Sequence, residues 1–340
     1  MKTNLKIAIL SSLLLFPLLA GYLWQGGWFS RSGPPEKITI GSSFNNMNGL
    51  LYIALDKGFD KVQGLELTLK PYQSGRDAVK DVKAGLVDLA CIGEFVLASE
   101  ILARAAELRC LCAISAGDVF DLIARRDRGI GKAEDLRGKI IGVPLGTQGE
   151  FLLGRFLTLN QIAPREVTVV DVNPSQMAQA LVAGKVDAVL WVPPFTFEII
   201  NQMGDDAVVL KAQGGQDYYV LLAAREDYLK ARPAAMEKLL RALEQSAGFL
   251  KQRPGEARAI IAKWAKVPVS HLDRYTVRYE LFLDQGLLLA MEDQASWMIR
   301  NGLTNRTKIP NFMDYLDPEP LEKVNPKAVR LAIPGKLPPK

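Results

Sequence analysis

Histidine is nearly missing: His271 stands alone in a chain of 340 residues. That excludes an H-E-x-x-H zinc helix and any proton relay built on paired histidines. Cysteine is scarce too, with only Cys91, Cys110 and Cys112. Their spacing is not C-x-x-C, and each falls in an apolar, strand-like run. Buried free thiols are therefore a simpler reading than a metal site, although export would permit one disulfide. No G-x-S-x-G elbow occurs, no glycine-rich loop ends in Gly-Lys-Ser/Thr, and no two carboxylates form a recognisable acid–base pair. The net charge of +5 is spread along the chain without a Lys/Arg run or a basic–aromatic stripe. A nucleic-acid groove is thus not expected, though mild basicity helps attract anions. His271 itself lies in VPVSHLDRY, beside a turn, and is expected at the surface.

What is present begins with an apolar opening. Lys2 and Lys6 precede Ile7–Ala20, IAILSSLLLFPLLA, the pattern of a secretory signal. Two readings of residues 1–31 stand. Cleavage after Ala20 would leave the bulky Leu18 at the −3 position. Alternatively the apolar run continues to Trp24 and approaches the roughly 20 residues of a membrane span. Trp24 and Trp28 would then mark the outer interface, with both lysines inside. A lipoprotein cysteine is lacking, since Gly21 is followed by Tyr22. Both readings export the body. There the composition, 49% apolar and 23% charged, is that of a globular protein long enough for two cores.

The chain also repeats itself. AGLVDLACIGEF at Ala84–Phe95 returns as AGKVDAVLWVPPF at Ala183–Phe195. The interval is far longer than the roughly 20–50 residues of a solenoid repeat, and suits a duplicated domain-sized unit. Before each copy lies a helical pattern, with Ala78, Val79 and Val82 on one face and Met177, Ala178, Leu181 and Val182 on the other. Gly85 and Gly184 are placed to cap those helices, and the strands VDLACI and VDAVLWV follow. Their unbroken apolarity suits a parallel sheet covered on both faces. Further back, GLELTLKPYQSG matches REVTVVDVNPSQ, and KITIGSSFNNMNGLLYIALDKG matches GKIIGVPLGTQGEFLLGRFLTLN. Residues Lys37–Gly93 and Lys139–Val192 thus share the order β-loop-α, β-α-Gly, β, which predicts two open α/β lobes. Asp88 and Asp187 are expected to serve strand entry rather than ligand.

In open parallel sheets, ligands bind beyond the carboxyl ends of the strands. The candidates there are Ser42, Ser43, Phe44 and Asn45; Gln73 and Ser74; Gly93 and Glu94; Gly146, Thr147 and Gln148; Asn173; and Trp191 to Pro194. GVPLGTQGEF opens a helix with Thr147 as N-cap, a place that favours an anionic or oxygen-rich ligand, and GSSF offers two hydroxyls in the other lobe. Turn chemistry alone also accounts for either loop. In LWVPPF the prolines end the strand and hold Trp191 at its tip, as a core residue or a cleft wall. Phe44, Phe95, Tyr218 and Tyr219 could extend such a wall. Glu94 either faces the cleft and prefers a cation, or is the first-turn carboxylate of the helix EFVLASEILARAAE, which the dipole favours.

YIALDKGFDKVQGLELTL, AGLVDLACIG, DLRGKIIGVPLGT and AGKVDAVLWVPPF, in that order, resemble the nitrate/sulfonate/taurine-type solute-binding proteins of ABC importers. LLAAREDYLKARPAAMEKLLRALEQSAGFLKQRPGEARAIIAKWA and PNFMDYLDPEPLEKVNPKAV extend the resemblance, which covers Lys37 to Val329. It implies a type II periplasmic-binding fold: two open, doubly wound α/β lobes joined by a two-crossover hinge. Lobe 1 is then expected at 37–117 plus 217–300, lobe 2 at 118–216, and a tail at 301–340 packing on the lobes. The family's ligand loops fall on Ser42, Ser43 and Phe44; Gly93 and Glu94; Gly146, Thr147 and Gln148; and Trp191 and Pro193. Asn45, Asn46 and Asn48 make the first loop more amide-rich than the family pattern, and Glu94 is atypical of an anion binder. The function implied is an exported, non-enzymatic, monomeric protein without cofactor or metal. It would capture a small polar solute by hinge closure and present it to an ABC permease in the membrane. Two other readings are an enzyme on the same fold, as in thiamine-pyrimidine synthesis, and a membrane-tethered ligand sensor.

Overall fold

The two A-G-x-V-D copies end equivalent parallel units in the computed structural model, which describes residues 34–103 and 107–332. In the first, β1 (Glu36–Ser42), β2 (Leu65–Pro71) and β3 (Leu89–Gly93) run parallel in the order β2-β1-β3. The chain continues through β4 (Leu108–Asp118) and crosses at once into β5 (Asp121–Arg125). The second unit then repeats the pattern with β6 (Ile140–Val143), β7 (Thr168–Asp171) and β8 (Ala188–Trp191), in the order β7-β6-β8. After β9 (Ala207–Lys211) the chain crosses back into β10 (Tyr218–Arg225), and β11 (Thr276–Arg278) completes the first sheet.

The sheets are therefore β11-β4-β10-β3-β1-β2 and β7-β6-β8-β5-β9. Each parallel trio is extended by an antiparallel strand, β10 against β3 and β5 against β8. The chain passes between the sheets twice, before β5 and before β10. β3 and β8 are buried along their whole length, as strands covered on both faces must be.

The repeated motif has a structural cause. Asp88 accepts the N–H of Thr39 through Oδ2 at 2.7 Å and donates its own N–H to the Thr39 carbonyl at 3.0 Å. Asp187 does the same to Ile140, at 2.9 and 2.8 Å. Each aspartate clips the third strand of its unit to the first. Gly85 and Gly184 precede these clips at φ +72° and +68°, a left-handed turn that a side chain would strain. Helix Gly75–Lys83 buries Ala78, Val79 and Val82 as the pattern predicts. Helix Met177–Val182 buries only Met177 and Leu181, and Val182 is exposed, because six residues make too short a helix to keep both flanks of the stripe covered.

The long helices Pro233–Gln252, Pro254–Ala265 and Gln285–Arg300 follow β10. Beyond them Phe312, Leu316 and Leu321 are buried in the main core, and Leu283–Asp284 pairs with Val329–Arg330. All three cysteines are free and buried. His271 departs from its expected surface position. It is buried, edge-on to Phe197 at 4.6 Å between centroids and 5.4 Å from the Tyr275 ring. The VPVSHLDRY turn folds as a 3-10 helix, Val269–Arg274, that buries His271 and Leu272, the latter in the apolar cluster formed with helices Gly49–Lys57 and Pro254–Ala265. No helix among the described residues is long and apolar enough to cross a membrane. The export segment, residues 1–31, lies outside the described residues.

Candidate functional site

The carboxyl ends of β1, β3, β6 and β8 deliver their loops to one cavity of about 460 Å³. Ser43, Phe44 and Asn45 follow β1; Gln73 and Ser74 follow β2; Gly93 ends β3. From the second sheet come Thr147, Gln148, Trp191 and Pro194. Both crossings contribute as well, through Phe120 and Tyr218. No Asp or Glu is among the lining residues, whereas Arg76 and Lys266 are.

The first loop is amide-rich because it is a capping structure. Asn45 accepts the Met47 N–H through Oδ1 at 2.9 Å and donates Nδ2 to Ser43 Oγ at 3.1 Å, starting the 3-10 helix Asn46–Asn48. Asn48 Nδ2 donates to the Ser43 carbonyl at 2.6 Å, and the Tyr52 hydroxyl donates to the Asn45 carbonyl at 2.9 Å. Phe44 is held in a parallel stack, 6.0 Å from Trp264 and 6.1 Å from Tyr52 between centroids. The loop thus presents Ser43, Phe44 and Asn45 rigidly, on a base of helices Gly49–Lys57 and Pro254–Ala265.

The loop after β6 is equally satisfied from within. Thr147 caps helix Gln148–Leu159, accepting the Gly149 N–H at 3.2 Å and donating its hydroxyl to the Pro144 carbonyl at 2.6 Å. The Gly146 N–H donates to Glu150 Oε2 at 2.7 Å, and the Leu145 N–H to Asp171 Oδ1 at 3.0 Å. Burial pushes the Glu150 carboxyl up, and Asp171 adds to this, while the Gly146 N–H and Arg76 restrain it. These carboxylates already occupy the Leu145 and Gly146 donors, and Gly146 does not line the cavity.

Four other candidates also stay outside it. Ser42 is fully buried on β1, its hydroxyl turned to the Ser43 carbonyl. Glu94 does not face the cleft: it starts helix Glu94–Leu102 in the fully buried layer beneath Gly93. Its Oε2 accepts the Tyr219 N–H at 3.0 Å and its Oε1 accepts Gln294 Nε2 at 2.9 Å. Burial raises its carboxyl to about 8, partly restrained by those donors. Asn173 stands exposed, since Pro174 takes the buried position of that turn. Pro193 is buried, and Pro194 reaches the wall in its place.

An aromatic wall joins the two sheets. Phe120 meets Trp191 and Tyr218 edge to face, at 5.7 and 5.1 Å. Trp191 lies against Gly149 and Tyr218 against Gly93. A Cβ at Gly149 would come within 2.9 Å of the indole, and one at Gly93 within 2.7 Å of the phenol. These glycines permit the rings to sit flat on backbone. Phe95 is instead core, packed on Phe151 and Trp297, and Tyr219 does not line the cavity.

Sequence reasoning missed Arg76, Tyr72, Phe120 and Lys266. Arg76 begins helix Gly75–Lys83 and donates Nη1 across the cleft to the Leu145 carbonyl, while its buried Nε has no partner. Its place one turn beyond a strand-end loop was a usable signal. Lys266, an exposed residue at φ +56° that ends helix Pro254–Ala265, borders the cavity, and nothing in the local sequence marks that proximity.

Comparison with known proteins adds a family. A family model described as NMT1/THI5 like matches residues 45–257, more than half of the chain. A binding protein of Brucella abortus (strain 2308) is 26% identical over 226 residues, covering 65% of this chain and 69% of its own. The taurine-binding periplasmic protein of Escherichia coli (strain K12) is 26% identical over 188 residues, 54% of this chain and 57% of that protein. Among solved structures, the periplasmic aliphatic sulphonate binding protein of Escherichia coli superposes with a TM-score of 0.66 at 16% identity, covering 84% of this chain and 98% of that one. A desulfurization enzyme superposes at 0.64 with 18% identity, over 84% and 98%. The architecture is thus the type II periplasmic-binding fold, shared by binding proteins and by at least one enzyme.

Proposed function

This chain belongs to the NMT1/THI5 like family, and from that premise we propose that it is the exported solute-binding component of an ABC-type importer. It captures a small polar ligand between two lobes and hands it to a membrane permease. The observation that carries this reading is the cavity itself, which takes loops from both sheets and whose rim is bridged by Arg76 and Leu145. A ligand touching both walls favours the closed arrangement by its differential contacts, which is how capture couples to recognition by a permease. The periplasmic setting of the taurine- and sulphonate-binding proteins supports a body outside the cytoplasm.

Ser43, Phe44, Asn45, Ser74, Gly93, Thr147, Gln148 and Trp191 are the residues we assign to the ligand from the original set, joined by Arg76, Phe120 and Tyr218. The lobes are bounded at 37–117 plus 217–300 and at 118–216. The ligand is polar at one end, to meet Gln148 and Arg76, and flat or apolar at the other, to meet Trp191 and Phe120. Binding without turnover is the reading that the binding-protein relatives support.

A thermal-shift screen against sulfonates, nitrate, amino acids, amines and heterocycles tests this. A ligand at a hundred times its dissociation constant stabilises the fold by about 2.7 kcal/mol. One chemical class of hits, recovered unchanged after incubation, is the expected result. Conversion of a hit to product would move the reading to an enzyme, and silence across the panel would count against solute capture.

A further inference from the structure

Three residues distant in sequence form a hydrogen-bonded chain that ends at the cavity. Glu94 Oε1 accepts Gln294 Nε2 at 2.9 Å, and the same Nε2 donates to Gln148 Oε1 at 3.3 Å. All three side chains are buried: Glu94 and Gln294 completely, and Gln148 at 3% exposure. Gln148 lines the cavity, and its Nε2 is buried without a partner. Such an orphaned donor in a cavity wall points to a ligand that completes it, because leaving it unpaired costs about 1–3 kcal/mol.

The chain has a polarity. A carboxylate only accepts hydrogen bonds, so an ionised Glu94 obliges Gln294 to turn its NH2 inward. Gln294 then donates to Gln148, whose carbonyl is taken up, and Gln148 offers N–H to the cavity. Protonation reverses this order. The Tyr219 N–H holds Oε2 as an acceptor, so the proton must sit on Oε1 and be donated toward Gln294. Gln294 answers with its carbonyl, which also accepts from Gln148. Gln148 then offers a carbonyl to the cavity.

Resting on the reading of this cavity as a ligand site, we propose that Glu94 and Gln294 are positioning residues that set the amide orientation of Gln148. They thereby decide whether the cleft wall offers the ligand a hydrogen-bond donor or an acceptor. An acceptor-only ligand, such as a sulfonate or carboxylate, matches the ionised state. A ligand presenting N–H, such as an amine or a protonated ring nitrogen, matches the neutral one. Burial holds the Glu94 carboxyl at about 8, so both states are reachable near neutral pH. The groups facing Glu94 are Tyr218 and Tyr219 from β10, Gln294 and Gln148. Both phenols are raised, chiefly by burial and also by the Glu94 charge, and Asp217, Asp284 and Arg278 act on Tyr219.

The test requires no ligand. The full chain is labelled with 13C in glutamate carboxyls and 15N in glutamine amides, and both are followed by NMR from pH 5.5 to 9.5. The Gln148 amide resonance is expected to move with the same midpoint as the Glu94 carboxyl. Gln294→Leu should leave Glu94 titrating and sharply reduce the response at Gln148, leaving only what the facing Glu94 charge exerts directly. Glu94→Gln, which keeps the shape, should hold Gln148 in its low-pH position throughout and keeps the test open if Gln294→Leu fails to fold. A Glu94 that does not titrate in this range overturns the proposal, as does a Gln148 amide that ignores it or responds undiminished in Gln294→Leu. Methanesulfonate and methylammonium then serve as probes in wild type, with the first expected to gain affinity relative to the second as pH rises. If neither binds while the amide transition is intact, the relay stands and the solute-capture reading is decided by the wider thermal-shift panel.

Discussion

The side chain of Gln213 accepts the backbone N–H of Phe120 at 2.8 Å, and so ties one interlobe crossing to the other. Its Oε1 also accepts the Val119 N–H, and its Nε2 donates to the Gly117 carbonyl at 3.0 Å and the Gln216 carbonyl at 2.8 Å. One fully buried amide therefore satisfies four backbone groups on both connections. Phe120 is also the centre of the aromatic wall, so the hinge and the cavity share a fixed point.

Gln213→Ala strands two N–H groups and two carbonyls near the crossings. Each buried group left unpaired costs about 1–3 kcal/mol, less where water enters. The expected result is a urea midpoint lowered by at least about 2 kcal/mol equivalent, with a larger radius of gyration in ligand-free protein by X-ray scattering. An unchanged midpoint would show that the amide is not a clamp.

Trp191→Ala removes the ring that packs on Phe120 and Gly149. Because one face borders the cavity, the loss is expected at the lower end of the range for large aromatics, about 3 kcal/mol. The variant should remain folded by circular dichroism yet lose the stabilisation that the wild type gains from its best ligand. Gly149→Ala should weaken binding too, since its methyl meets the indole. Wild-type-like binding in both would remove Trp191 from the ligand wall.

Asp187→Ala breaks the clip between β8 and β6 and leaves the Ile140 N–H without its carboxylate. The bond is solvent-exposed, so a stability loss of about 0.5–1.5 kcal/mol is expected, with the ligand dissociation constant unchanged. Asp88→Ala should behave alike in the first unit. A selective loss of affinity at unchanged stability would contradict the structural role.

Stability should depend on pH through two buried groups of opposite sign. The Glu94 pKa is raised to about 8, so its contribution is fully present below its ordinary value of 4.5 and is lost as pH rises through 8. His271 is depressed to about 4, by burial first and then by Arg274 and Lys211 against the pull of Asp121. Its neutral form is favoured, so its contribution is present above 6.5 and is lost as pH falls through 4. The two slopes oppose each other from pH 4.5 to 6.5. Between 6.5 and 8 Glu94 is the one of these two groups that acts, and it should lower stability by up to about 1.4 kcal/mol per pH unit. Denaturant titration of Glu94→Gln should flatten that decline, and His271→Gln should remove the acid limb. A Glu94→Gln profile that still falls above pH 6.5 would assign the effect elsewhere.

Much of this protein could be read along the chain. Each A-G-x-V-D copy is a local instruction, in which an apolar helical face, a left-handed glycine and a strand entry lie within about a dozen residues of one another, the scale on which periodicity works. Two copies imply two sheets, and open parallel sheets place ligand loops at strand ends, which is how Ser43, Phe44, Thr147, Gln148 and Trp191 came into view. The Thr147 cap and the first-turn place of Glu94 are local for the same reason. Tertiary structure decided the rest, because the partners lie too far apart for any local pattern. Arg76 meets Leu145 across 69 residues, and Gln294 meets Glu94 across 200. Gln213 reaches Phe120 across 93. The same limit explains His271, a lone polar residue beside a turn whose burial depends on Phe197 arriving from helix Phe195–Met203. Sequence set the two lobes and the loops that face each other. Packing alone determined which donors remained free once Glu150, Asp171 and Glu94 had taken theirs, because hydrogen-bond capacity is spent on whichever neighbour the fold brings within reach.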